Sequence, residues 1–502
     1  MASIETSPLL SEKTIAVSGR SDSTQREGWK SSVVVSDIAI LGAGTTFAAL
    51  FNSILVFLIP RLMSVEQFGY WRLFLLYAGY VGFIHFGFAD GALLRWVGKS
   101  REVIDAEVGQ AWKYLVVQQM AVIFPAVVFF ALAPLMPAHI RAICVAVLLF
   151  GLIVNSTTLL QYCLQAGRSF RPVAIATAVA PGVFVMLTFI WNLWRAPKAN
   201  DLIVLYSIGW IVALLYLWAL VKPRFTNTSE STWELGKSLT ALGWPVVLAN
   251  ASYMLVQSAD RLVVSSSRSI YDFAQYSLAA SSIFVPVATI AAVSRVFFAH
   301  AAGAEIDSRA MIYRRTSRIL LIAWSLMLPY FFVLEAFVRR FLPKYVPALP
   351  VAGVLILSVI FLAEVQILQM SYFYLYGRQQ EFLCLSIGAL AVSLLVGLTM
   401  ILWLKSLLAV AAGQVCALFL WWLTNEWRLS GITGRAGKDW LRILGVVAWT
   451  VTSYALVLWS SRNIGWRVVS YYAAAACVLA LFCADDFRYV WQVFQMRSLK
   501  SR

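Results

Sequence analysis

The sequence predicts an all-α integral membrane protein of about fourteen transmembrane helices. Three observations carry this. Apolar stretches about twenty residues long recur along almost the whole chain, nothing between them is large enough to fold by itself, and the cationic residues between them alternate in density. Hydrophobic residues make up 61% of the chain and charged residues 13%, against roughly 25% charge in an average soluble domain. A hydrocarbon core about 30 Å thick takes roughly 20 apolar residues per helix, because in lipid the backbone must satisfy its own hydrogen bonds.

The blocks in order are 33–59, 71–91, 111–135, 140–164, 173–194, 202–221, 239–263, 276–301, 319–338, 351–375, 382–402, 407–426, 441–460 and 467–481, the last being short. An even number puts both termini on one side, and the loop lysines and arginines decide which. With the N-terminus inside, inner segments hold 26 of the 40 and outer segments 13, the remaining one, Arg295, lying within a block. Both termini are therefore expected in the cytoplasm. The formal charge of +16 reads as an orientation signal, with attraction to anionic headgroups beside it. Nucleic-acid binding would need those charges gathered on one soluble module, and the chain has none.

Residues 1–32 are rich in Ser, Thr, Glu and Lys with no aromatic before Trp29, so this tail is expected to be disordered. It has no charged n-region followed by an apolar h-region and cleavage site, so the first helix is its own insertion signal. Cys144, Cys163, Cys384, Cys416, Cys477 and Cys483 lie in or beside apolar blocks with no CxxC spacing, and neither disulfide nor metal is implied. The three histidines form no ligand set. Nucleotide-binding loops and nucleophile elbows are absent, so no covalent chemistry, cofactor or metal is expected.

The first and seventh helices end alike. The first runs into Pro60-Arg61-Leu62 and then Phe68-Gly69-Tyr70-Trp71; the seventh runs into Asp260-Arg261-Leu262 and then Phe273-Ala274-Gln275-Tyr276. Parallel repeats of this kind are a building plan of secondary transporters. They divide the chain into a tail (1–32), an N-terminal six-helix lobe (33–221), a polar linker (222–238), a C-terminal six-helix lobe (239–428) and two added helices with the C-terminus (429–502).

Arg61-Leu-Met-Ser-Val-Glu-Gln-Phe-Gly-Tyr and Gly87-Phe-Ala-Asp-Gly-Ala-Leu-Leu-Arg-Trp96 resemble the opening helices of bacterial polysaccharide flippases, of the multidrug/oligosaccharidyl-lipid/polysaccharide (MOP) exporter superfamily. Gly243-Trp-Pro, Ala259-Asp-Arg-Leu and Tyr276-Ser-Leu-Ala resemble the start of their second lobe. The resemblance covers residue 33 to the C-terminus. It implies two six-helix lobes around a cavity that opens alternately to each side, plus two helices. It further implies residence in the bacterial cytoplasmic (inner) membrane and transfer of polyprenyl-diphosphate-linked sugars to the outer leaflet. The partners so implied are the lipid-linked glycan, membrane lipids, and a glycan polymerase with its chain-length and export machinery.

Polar residues inside the apolar blocks are the candidate site. The seventh helix carries Asn250, Tyr253, Gln257 and Asp260/Arg261 on one face, and the fourth carries Asn155, Thr158, Gln161/Tyr162 and Gln165 on another. These stripes should look inward, at neighbouring helices or at water. Glu364 lies mid-block in the tenth helix, where a carboxylate costs at least ~2.5 kcal/mol on insertion scales. It reads as a site for a coupling cation or proton, a hydrogen-bond partner for sugar, or an arginine partner locking the lobe. His85, mid-span in the second helix, reads as a satisfied core histidine or a polar cavity group.

A diphosphate substrate gives arginines weight, because guanidinium recognises it through planar, bidentate hydrogen bonds. Arg61, Arg72 and Arg261 fall at the outer ends of their helices, Arg95 and Arg295 toward the inner side; the competing role for each is snorkelling to headgroups. Asp37 and Asp90 offer partners to Arg95 or Arg295. Gly79, Gly82, Gly87 and Gly91 in the second helix serve close packing or a hinge. The leading expectation is a flippase for lipid-linked oligosaccharide working by alternating access. Its rivals are a cation-coupled drug exporter of the same superfamily, a membrane glycan polymerase or ligase, for which every outer loop is short, and a non-transporting scaffold.

Overall fold

The computed structural model describes residues 44, 47–48, 51, 54–134, 136–224, 231–283, 286–287, 289–290, 293–294, 297–298, 301, 305–435, 437–460 and 463–482. Among these the regular structure is helical throughout, with no strand. Ten helices are long and apolar enough to cross a membrane, and a bent pair makes an eleventh. The chain is a multi-pass membrane protein. Of the remaining expected blocks, 33–59 and 276–301 fall partly outside the described residues, and the last is carried by the 19-residue helix Ile464–Phe482.

The bent pair is α1 (Val65–Ala78, continued to His85 by a 3-10 turn) and α2 (Phe88–Trp96), which meet at 56°. There follow α3 (Arg101–Leu132), α4 (Ala138–Ala166), α5 (Phe170–Trp194), α6 (Ala199–Val221), α7 (Thr232–Ser267), α8 (Ile270–Ser281), α9 (Ser308–Phe341), α10 (Ser358–Leu375), α11 (Gln379–Trp403), α12 (Leu407–Thr433), α13 (Gly437–Ser460) and α14 (Ile464–Phe482). Helices α3 and α7 begin well before their apolar blocks. Hydropathy marks the lipid-buried part of a helix and does not report where the helix starts. Ser231 accepts from the Glu234 N–H (3.2 Å) and so starts α7 inside the polar linker.

The sequence repeat is realised at matching caps. Ser64 accepts from Gln67 N–H and opens α1; Ser269 accepts from Asp272 N–H and opens α8. Four residues past each cap stands a phenylalanine, five past it a small residue: Phe68-Gly69 and Phe273-Ala274. The two copies pack on one another. A Cβ on Gly69 would lie 2.6 Å from the Ile270 carbonyl oxygen and 3.3 Å from the Ala274 methyl. Only hydrogen fits, so α1 and α8 run backbone against backbone.

A second close contact joins α2 to α7 at the opposite end. Gly87 has φ +83°, a left-handed conformation that glycine adopts without strain, and it forms the bend. A Cβ on Gly243 would stand 1.9 Å from the Gly87 carbonyl oxygen, and one on Gly91 1.8 Å from that of Leu239. Of the four glycines in the second span, Gly87 and Gly91 therefore serve close packing and the bend, whereas Gly82 has open space around it. Gly243→Val is expected to hold α2 off α7 and open that end, while Gly82→Ala changes nothing. A cysteine placed at Ser277, with the native cysteines replaced, should gain reactivity toward an impermeant thiol reagent in the Gly243→Val background. Unchanged labelling would show that this contact does not seal the cavity described below.

The last two helices are fastened to α9 by polar contacts. Tyr471 donates to the Ser325 carbonyl (2.8 Å), Thr450 to the Ser325 hydroxyl (3.2 Å), and Arg467 pairs with Glu335 (2.8 Å). In a bilayer, where apolar burial between helices gives little, such bonds hold helices together.

Candidate functional site: a cationic cavity and a buried acidic cluster

Beside the α1–α8 contact lies a cavity of about 290 Å³, at the low end of ligand sites (~300–1,000 Å³). The first half of the chain supplies Ile59, Phe68, Trp71, Arg72, Phe184 and Tyr206 to its wall; the second supplies Arg261, Phe273 and Ser277. Its aromatic side is rigid, since Trp71 packs on Phe184 (5.4 Å) and Tyr206 (5.6 Å). Its polar side is cationic. Nε of Arg72, Nε of Arg261 and Oγ of Ser277 are each buried without a hydrogen-bond partner, an unfavourable condition for buried donors. The two guanidinium charges repel one another. Donors of this kind have the chemistry to meet the acceptor oxygens of an anion.

Asp260 does not line the cavity. It is buried, with Oδ2 accepting from the Tyr276 hydroxyl (2.7 Å) and Oδ1 from the Arg261 N–H (2.8 Å). Along the same face of α7, the Tyr253 hydroxyl donates to Gln366 in α10 (2.7 Å), the Gln257 carbonyl accepts from the Arg261 guanidinium (3.5 Å), and Asn250 is exposed. Arg61 is exposed at the end of the first helix and is not part of the cavity wall.

The stripe on α4 serves the interior of the first half. Asn155 donates to the Val81 carbonyl (3.0 Å) and to Gln119 (3.3 Å), and Tyr162 hydrogen-bonds to Asp90. Gln161 is half-buried. His85 is buried at the bend, its Nδ1 accepting from the Gly87 N–H (3.1 Å) and its Nε2 3.9 Å from Asp90. Asp90 is thus taken up by Tyr162 and His85, and Arg95 pairs with Glu107 through Nε (3.1 Å) and Nη2 (3.0 Å). Trp96 donates to the same carboxylate (3.0 Å). Arg295 and Asp37 lie outside the described residues.

Glu364 opens a π-helical turn, Glu364–Gln369, inside α10. Such turns widen a helix and accompany functional sites. Its Oε2 accepts from Ser317 (3.1 Å), and the Trp422 indole also interacts with the carboxylate. Glu426 of α12 acts on it electrostatically. Glu426 is itself held by Tyr313 (2.6 Å), Gln369 (3.0 Å) and Arg435 (2.5 Å), and neither side chain of the Glu426–Arg435 pair has any exposure. Two carboxylates and one guanidinium thus share one buried space. Sequence reading missed Glu426 and Arg435 because one closes an apolar block and the other stands in a short loop. A helix continuing to Thr433 places Glu426 two turns inside its end. Among the described residues no group of three or more His, Cys, Asp or Glu is arranged for a metal ion.

Solved structures with this architecture exist. The Lipid II flippase MurJ in its inward closed conformation superposes with a TM-score of 0.68 at 13% identity, over 90% of this chain and 99% of that one. The chain shares this fold. A multidrug resistance MATE family transporter of the MOP superfamily matches in its inward-facing conformation (TM-score 0.52, 12% identity, 80% and 96% covered). It matches about equally in its outward-facing one (0.51, 14%, 80% and 97%). No family model and no curated protein matches the sequence.

Proposed function

We propose that this chain is a flippase that carries polyprenyl-diphosphate-linked oligosaccharide across the bacterial cytoplasmic membrane by alternating access. The observation that carries the reading is the cavity itself: two arginines and a serine with unused donors, contributed by both halves of the molecule, lining one space. Guanidinium forks match phosphate oxygens in geometry and charge. The same charges oppose a cationic drug, which places the drug-exporter reading second even though the wall is aromatic. A volume of about 290 Å³ holds a diphosphate with little of its glycan, so the lobes separate to admit the rest. The α1–α8 and α2–α7 contacts are the two seals that open in turn. The transfer makes and breaks no covalent bond, and both termini belong in the cytoplasm with the polymerase and export machinery working on the product beyond the membrane.

The buried acidic cluster is the coupling element. With both carboxylates ionised it carries one more negative than positive charge, and it is complete when it holds a proton or a monovalent cation at Glu364. The experiment uses the full chain in vesicles whose inner leaflet holds a polyprenyl-diphosphate saccharide, with transfer read by an impermeant reagent that modifies the exposed glycan. Transfer that depends on the diphosphate and on an ion or proton gradient is expected. Glu364→Gln should slow it and remove the gradient dependence. Transfer of a cationic drug and none of the lipid diphosphate would overturn the substrate assignment, and full gradient dependence in Glu364→Gln would overturn the coupling role.

A further inference from the structure

Two guanidinium groups facing one cavity raise a difficulty for a transporter, which must release what it binds. Tight binding that is equal in every state slows turnover. The structure contains a remedy one residue from Arg261. The Asp260 carboxylate is buried behind the cavity wall and attracts the Arg261 guanidinium. Yet the guanidinium turns to the Gln257 carbonyl at 3.5 Å and leaves its Nε unpartnered. The carboxylate is occupied elsewhere, by the Tyr276 hydroxyl at 2.7 Å and the Arg261 backbone N–H at 2.8 Å. Tyr276 is itself fully buried, and its neighbour Ser277 stands in the cavity wall.

We infer that Asp260 is a counter-charge that limits how tightly the cavity holds its anion, and that Tyr276 sets its strength by holding the carboxylate off the Arg261 guanidinium. This rests on the anion-binding reading of the cavity. With Asp260 in place the cavity presents the field of about one net positive charge; without it, two. Because charges act strongly across a poorly hydrated interior, the counter-charge lowers affinity for every anion without touching it. Tyr276 keeps that effect partial: released from the phenol, the carboxylate closes on Arg261 as an ion pair and takes the guanidinium away from the substrate. Asp260 is thus a positioning and release residue that makes no substrate contact.

The two substitutions therefore act in opposite directions, which a folding defect cannot imitate. The probe is farnesyl diphosphate, titrated calorimetrically into the full-length protein in nanodiscs. Asp260→Asn, which removes the charge, keeps one acceptor oxygen for the Arg261 N–H and turns an amide N–H toward the Tyr276 oxygen, is expected to bind it about tenfold more tightly while transferring lipid-linked saccharide more slowly in vesicles. Tyr276→Phe, which keeps the charge and frees it, is expected to bind several-fold more weakly. Shifts of the same sign in both, or unchanged affinity in Asp260→Asn, would overturn the inference while leaving the cavity reading intact. Absence of binding to the wild-type protein, or equal binding by Arg261→Ala, would overturn the anion reading and this inference with it.

Discussion

Alanine at both Arg72 and Arg261 is expected to abolish transfer of a polyprenyl-diphosphate saccharide at normal protein level. A hydrogen bond to a charged group is worth about 1.5–3 kcal/mol. Each single change should therefore weaken binding about ten- to a hundred-fold, and the pair should leave nothing measurable. Lysine at either position restores part of the loss, because an ammonium keeps the charge and lacks the planar fork. Arg61→Ala is the informative comparison, since Arg61 is exposed and stands outside the cavity wall; its loss should cost little. Vesicle transfer measured for these variants decides the matter. Wild-type rates in Arg72→Ala/Arg261→Ala would show that the cavity does not recognise the diphosphate.

The contrast between Arg61 and Arg72 shows where sequence reading stops. In sequence both are expected near the outer end of a helix, and both read as headgroup anchors or phosphate ligands. They are separated by the helix that carries them: Arg61 ends the helix before Ser64 and is exposed, whereas Arg72 lies on α1 and reaches the cavity through the way α1 is rotated against α8. That rotation is set by Gly69 on Ile270, a contact between residues two hundred positions apart. The repeat carrying this contact was legible because it recurs as residue types at fixed spacing. The helices were legible because lipid forces long apolar runs on any spanning segment.

The polar stripes were legible as inward-facing and illegible as to partner. The α4 stripe goes to Val81, Gln119 and Asp90 inside the first half, whereas the α7 stripe reaches Gln366 and ends at the cavity with Arg261. Arg95 presents the same problem in reverse. Its partner Glu107 stands before an apolar block, where hydropathy shows only a loop, but α3 already begins at Arg101, so that stretch is helical and the carboxylate lies 3.0 Å from Arg95.

Arg435→Ala is expected to destabilise the protein severely. Its guanidinium and the Glu426 carboxylate have no exposure, and removal of one partner from a buried pair costs about 3–5 kcal/mol, because the remaining charge has neither water nor counter-ion. Here the remaining charge would be Glu426, beside a second carboxylate at Glu364. The unfolding midpoint in detergent should fall far more than for Arg314→Ala, whose guanidinium is exposed and donates to the Gly434 carbonyl at 3.2 Å. The paired change Glu426→Gln/Arg435→Met separates stability from coupling. It removes both charges together and retains an amide oxygen to accept from Tyr313 and Gln369, so most of the stability should return. Glu364 then stands alone with no guanidinium nearby to offset it and no second carboxylate to oppose it. If the cluster works as a shared charge, this folded variant transfers saccharide with its gradient dependence altered. Recovery of stability together with unaltered gradient dependence would mean that the Glu426–Arg435 pair only fastens α12 and its turn to α9 and α10, and that coupling, if it resides in this cluster, belongs to Glu364 alone.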